Sequence, residues 1–140
     1  MVIKNLKGKT HKLYRSSGSL WCRAVKDNVL FNKYGWSHLS FERGGKRRQP
    51  GNIKLRLHLF KYVHEIVKNA KFAIETSGWV LSKRGIRRQV KYYELVYWCA
   101  KEKCHISVVL RKIEEGKLHY YSVRRANSKI KKALAKAGLL

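Results

Sequence analysis

Near the carboxyl end of the chain, residues 119–125 read HYYSVRR and gather an imidazole, two phenols, a hydroxyl and two guanidinium groups into seven positions. Such groups stack on bases, donate hydrogen bonds to phosphate oxygens and hold negative charge. Strand alternation places Leu118, Tyr120, Ser122 and Arg124 on one face and His119, Tyr121, Val123 and Arg125 on the other. Three readings compete: a base-stacking platform, an ordinary half-buried strand, and one wall of a catalytic cleft. A second polar constellation lies upstream, where Ser37 and His38 sit among Trp36, Leu39 and Phe41. An imidazole in an apolar segment is commonly a packing residue. What marks His38 is its company, because Arg43 and the basic loop GGKRRQPGN (residues 44–52, with Lys46, Arg47 and Arg48) follow at once.

The elements that must position these groups follow from periodicity. Residues 53–72 form an amphipathic helix, with Asn52 as its cap behind Pro50 and Gly51. Lys54, His58, Lys61, Glu65 and Lys68 share a polar arc, opposite Leu55, Leu59, Phe60, Val63, Ile66 and Val67. Arg56 breaks the pattern by projecting into the apolar arc, where an unpaired guanidinium is costly, so it must reach water or an anion in a cleft. Residues 79–89 (WVLSKRGIRRQ) read as turn-rich, and residues 90–99, 105–112 and 117–125 as strands, the last two joined through Glu114, Glu115 and Gly116. Residues 128–137 read as a short helix stopped by Gly138, and residues 1–30 as irregular. The expected fold is a single α+β domain over 1–140: a long helix packed on a small antiparallel sheet of three to five strands, with a short C-terminal helix.

Composition narrows the partners. Thirty-three Lys and Arg against eight Asp and Glu leave +25 over 140 residues, an excess whose natural counterpart is a polyanion. The charge runs along the whole chain rather than along one basic amphipathic helix, which favours nucleic acid over a membrane surface. No apolar run approaches the ~20 residues of a membrane span, and the start MVIKNLKGKTHK lacks a signal peptide's apolar centre, so a cytoplasmic protein with no membrane partner is expected. Cys22, Cys99 and Cys104 are too few and too irregular for a disulfide framework. Cys99, Cys104 and His105 lack a second ligand pair at zinc spacing, so free thiols and no metal are expected. The carboxylates form no D-x-D or paired cluster for Mg²⁺, and Walker and Rossmann fingerprints are absent, so no cofactor is expected.

Taken together, GWSHLSFER, IKLRLHLF and HISVVLRKIEEGKLHYYSVRR resemble the superfamily of small ribonucleases that includes barnase, EndoU, the tRNA-cleaving colicins and RelE-type toxins (BECR fold), in its phage and polymorphic-toxin branches. Those branches carry a Trp or Ser beside a His, a basic stretch, a helix of the type RL.LL, and a last hairpin bearing Ser or Thr. The likeness covers residues 29–125, and the second histidine of EndoU relatives has no obvious counterpart here. The resemblance implies metal-independent RNA cleavage by 2′-OH attack, leaving a 2′,3′-cyclic phosphate. It implies His38, Arg56, Ser122 and Arg124 as catalytic groups: His38 as acid or base with an ordinary pKa of about 6.5, Arg56 neutralising the phosphorane, and Ser122 and Arg124 at the scissile phosphate. Arg43, Lys46, Arg47, Arg48, Lys54, His119, Tyr120, Tyr121 and Arg125 would bind the nucleic acid, with Tyr120 stacking on a base. The implied partners are RNA, tRNA-like in the toxin branches, and an acidic immunity protein or antitoxin, with action in the cytoplasm of the producing or of a target cell. Two other classes fit the same charge: a basic RNA- or DNA-binding module that does not cut, and a phage- or ribosome-associated interaction protein.

Overall fold

The computed structural model describes residues 3–42 and 45–139. The amino-terminal part, expected to be irregular, is ordered. Helix α1 (Ile3–Ser16) carries Leu6, Thr10 and Leu13 at helical spacing toward the following helices, and strands β1 (Ser19–Cys22) and β2 (Asp27–Leu30) form a hairpin. Five cations (Lys4, Lys7, Lys9, Lys12, Arg15) dilute the apolar stripe of α1, which is why its period is faint in the sequence. Gly18, at φ 60°, turns the chain out of the helix into β1.

Helix α2 (Lys33–Ser40) begins at Asn32, whose side chain accepts hydrogen bonds from the Tyr34 and Gly35 amides. Helix α3 (Pro50–Leu59) has proline in its first turn, tightens into a 3₁₀ turn at Phe60–Tyr62 and continues as α4 (Val63–Asn69). The expected single helix over 53–72 is thus a 20-residue helical run, interrupted once and starting three residues earlier.

Six strands rather than three to five make up the sheet, in the order β1-β2-β6-β5-β4-β3. Strands β3 (Ile74–Leu81), β4 (Arg87–Cys99), β5 (Cys104–Ile113) and β6 (His119–Arg125) are antiparallel neighbours, but β2 meets β6 in parallel at Leu30 and His119, so the sheet is mixed. The segment 79–89 is largely strand: WVL and RRQ pair as the ends of β3 and β4, and only the link of residues 82–86, with Gly85 at φ 74°, turns.

Register divides the sheet faces. Leu95, Val108 and Val123 lie side by side on one face, and with Leu110 and Tyr120 they bury against Leu57, Phe60, Val63 and Ile66 of the helical run. Each such fully buried side chain contributes roughly 1.5–3 kcal/mol. The other face carries Glu94, Val109 and Ser122 side by side. Helix α5 (Ser128–Lys136), capped by Asn127, closes the chain and buries Leu134. Among the described residues no helix is long and apolar enough to cross a membrane. Cys22, Cys99 and Cys104 are free thiols, and no three His, Cys, Asp or Glu side chains of the described residues cluster as metal ligands would.

Candidate active cleft

The last hairpin does not keep simple alternation. Val109 pairs with Ser122 but Leu110 pairs with Tyr120, so Tyr121 is an extra residue, a β-bulge. The bulge reverses the expected sidedness. Ser122 stays on the Val109 face, whereas Tyr120 turns with Leu110 into the core, where it is 0% exposed among Tyr14, Phe31 and Phe60. Tyr120 is therefore no stacking platform. Burial raises its phenol pKa far above the ordinary value, and among the described residues its hydroxyl has no hydrogen-bond partner.

Beyond the single β2 bridge, helices α2 and α3 pack directly on β6 and bring their polar groups to its outer face. Helix α2 comes very close: a Cβ on Gly35 would lie less than 3.0 Å from the Tyr120 carbonyl oxygen and the Tyr14 hydroxyl. One turn later, the His38 imidazole stacks on Tyr121 with centroids 4.2 Å apart, and the Arg111 guanidinium lies 4.6 Å from the centre of the same ring. Arg48, from the basic loop, donates from Nε to the His38 carbonyl at 2.9 Å and from Nη2 to His38 Nε2 at 3.0 Å. A guanidinium can only donate, so Nε2 is the acceptor and the His38 proton resides on Nδ1. Burial, then Arg48, Arg56 and Arg111, push the imidazole down to about 4. It is neutral at pH 7, not poised near 6.5.

Arg56 resolves the oddity of its helix face. It is 8% exposed, donating to Asn52 Oδ1 at 2.9 Å, to Ser122 Oγ, and to the Val123 carbonyl at 3.3 Å. Among the described residues no carboxylate pairs with it; burial and the nearby Arg48 lower it to about 10. Next along the strand, Arg124 meets Glu94 at 3.3 Å, while its buried Nε finds no acceptor among the described residues. His38, Arg48, Arg56, Tyr92, Glu94, Ser122 and Arg124 line one open cleft of about 500 Å³, with Thr76 and Ile130 at its borders. His38, Glu42 and Tyr121 are shared with an adjoining groove bearing Tyr34 and Phe41, which are exposed. The arrangement sets a cationic floor beside two exposed rings, Tyr34 and Phe41, that a base can cover.

All four residues expected to be catalytic, His38, Arg56, Ser122 and Arg124, meet in this cleft, as do Arg48 and Tyr121. Others do not. His119 is 5% exposed, held by Arg111 Nε and the Lys117 carbonyl. Lys54 lines a separate groove between α1 and α3. Arg125 is exposed but is not part of the cleft wall, and Lys46 and Arg47 are exposed in the loop, Arg47 bridging to Phe41. Arg43 lies outside the described residues. Glu94 escaped the sequence reading, although a lone carboxylate inside an otherwise apolar strand, VKYYELVYWC, signals a buried acid needing a cation. Comparison of the chain with protein-family models, curated proteins and solved structures yields no match.

Proposed function

We propose that the chain is a metal-independent endoribonuclease, a toxin acting on tRNA-like RNA in the cytoplasm, with this cleft as its active site. The observation that carries the reading is the convergence of Arg48, Arg56 and Arg124 with Ser122, His38 and the carboxylates of Glu94 and Glu42 in a single open cleft. Transesterification needs a base for the 2′-OH, an acid for the departing 5′-oxygen, and fixed positive charge on the phosphorane. Glu94 takes the 2′-OH proton, the 2′-oxygen attacks phosphorus, and the 5′-oxygen leaves with a proton from His38. Free His38 is neutral because burial, and then the surrounding guanidinium groups, disfavour its charged form. A bound phosphodiester offsets that charge and raises the imidazole's pKa toward its ordinary value, so substrate itself loads the acid. Arg56 and Ser122 hold the non-bridging oxygens.

Incubation with total tRNA in EDTA is the test. Fragments with 2′,3′-cyclic phosphate ends are expected, and Glu94→Gln should slow cutting by about 100-fold or more while preserving binding. As a toxin, the wild-type chain arrests growth on expression and an acidic partner relieves the arrest. The second reading is an RNA-binding module that does not cut. The engagement of His38 Nε2 by Arg48 favours it, and it predicts a gel shift with intact RNA.

A further inference from the structure

The β3–β4 hairpin outruns its sheet. β3 and β4 pair as far as Leu81 and Arg87, whereas β5 leaves β4 at Val90, so residues 79–89 stand out as a two-stranded ribbon. Its turn is built, not loose: Ser82 and Ile86 share a backbone hydrogen bond, Ser82 Oγ accepts from the Arg84 and Ile86 amides, and Gly85 takes φ 74°. The ribbon carries Lys83, Arg84, Arg87 and Arg88 and no carboxylate of its own, and of these Arg88 meets Glu114 of the β5–β6 turn at 3.7 Å. Its apolar side chains are left in water, with Trp79 54%, Leu81 70% and Ile86 53% exposed, and the Arg87 guanidinium lies 4.7 Å from the Trp79 ring centre.

Charges on exposed strands commonly serve to block edge-to-edge association, and that role must be weighed first. Here the free edge is β3, whose sequence IETSGWVL contains no Lys or Arg. Lys83 and Arg84 sit on the turn, and Arg87 and Arg88 on the end of β4 that pairs with β3 alone, β4 being paired on both sides only over residues 90–94. Lys83 and Arg84 border no strand edge and are placed for a ligand, with Arg87 over the Trp79 ring beside them. Alternation along β4 puts Arg88 on the same face as Tyr92 and Glu94, so the ribbon extends the floor of the cleft. From Glu94 to Arg87 is about 23 Å of strand, and the turn bearing Lys83 and Arg84 lies beyond it, on the order of one turn of a duplex from the cleft.

We propose that this ribbon is a second RNA-binding element that lies on the backbone and shallow minor groove of a base-paired stem, while the unpaired strand leaving the stem enters the cleft. The inference rests on the ribonuclease reading for the cleft, and it specifies the substrate: an RNA with a stem roughly one turn from the cleavage point, not a free single strand. Arg84 and Lys83 meet phosphates across the groove, and the Trp79–Arg87 pair packs on the sugar edge, where 2′-hydroxyls distinguish RNA from DNA.

The test uses the full chain, a hairpin RNA with a 3′ tail, the tail alone, and the same hairpin in DNA. All carry 2′-deoxy sugars in the tail so that no cutting occurs. The triple substitution Lys83→Gln, Arg84→Gln, Arg87→Gln should weaken tailed-hairpin RNA binding by about 10–100-fold and reduce the salt slope by two to three. Binding of the tail alone should stay within about twofold. Equal losses on both RNAs, unchanged hairpin binding, or a DNA hairpin bound as tightly as the RNA would each overturn the ribbon's role. The cleft is read separately, by Arg56→Met on cutting of the all-ribose tail. A cleft failure with the ribbon result intact leaves a stem-binding protein, and the reverse leaves a nuclease for single strands.

Discussion

Replacing Arg56 by Met separates a group kept for chemistry from one kept for packing. The charged form of Arg56 is disfavoured in the fold, its pKa lowered from 12.5 to about 10. At about 1.4 kcal/mol per unit this is roughly 3 kcal/mol, and solvent at the open cleft screens it to about 2. Against that relief stand three lost hydrogen bonds, to Asn52, Ser122 and Val123, worth about 1 kcal/mol each net. The difference is a destabilisation of about 1 kcal/mol, or a fall in Tm of roughly 4 °C. Loss of a group that stabilises the phosphorane costs about 10²–10³ in cleavage rate. Thermal unfolding and cutting of a labelled RNA in EDTA, measured on the same preparation, should therefore diverge: near-native stability with cutting nearly gone. A Tm lowered by 15 °C or more, the signature of a broken buried network, or cutting within threefold of wild type, would refute the reasoning.

The remaining predictions concern the supports of the cleft. His38 has a folded pKa of about 4 against about 6.5 unfolded, so the unfolded chain binds more protons between those values. Stability should fall as pH drops from about 6.5 to 4, with His64 and His119, also lowered by burial, acting in the same direction. His38→Phe should flatten the urea-midpoint profile over that window, and an NMR titration of His38 should move upward when a short oligonucleotide binds. Gly35→Ala, with its Cβ pressed on the Tyr120 carbonyl and the Tyr14 hydroxyl, should cost about 1–3 kcal/mol in urea unfolding and displace the helix that carries His38. Tyr120→Phe removes a buried hydroxyl without a partner among the described residues, so Tm should hold or rise by a few degrees while RNA cutting stays within twofold. A large loss of RNA affinity in that variant would return Tyr120 to the base-binding role.

What could be read along the chain was whatever depends on local period and on charge. The helical run near 50–69, the three long strands β4 to β6, the turn at residues 114–116 and the final helix all follow from side-chain spacing and turn residues, and +25 points to a polyanion wherever those charges sit. Arg56 announced itself because a guanidinium in an apolar arc has to be answered by something outside its helix. Helix α1 stayed hidden behind its lysines, and the hairpin of residues 79–89 behind its glycine and basic residues. Two decisions belonged to tertiary structure alone. The bulge at Tyr121 is a mismatch between two strands, invisible in either one, and it sent Tyr120 into the core while leaving Ser122 and Arg124 outside. The pairing of β4 with β5 set Glu94 beside Val109 and Ser122, joining a carboxylate to guanidinium groups from segments up to 46 positions away, because strand register, not sequence distance, determines which side chains share a cleft.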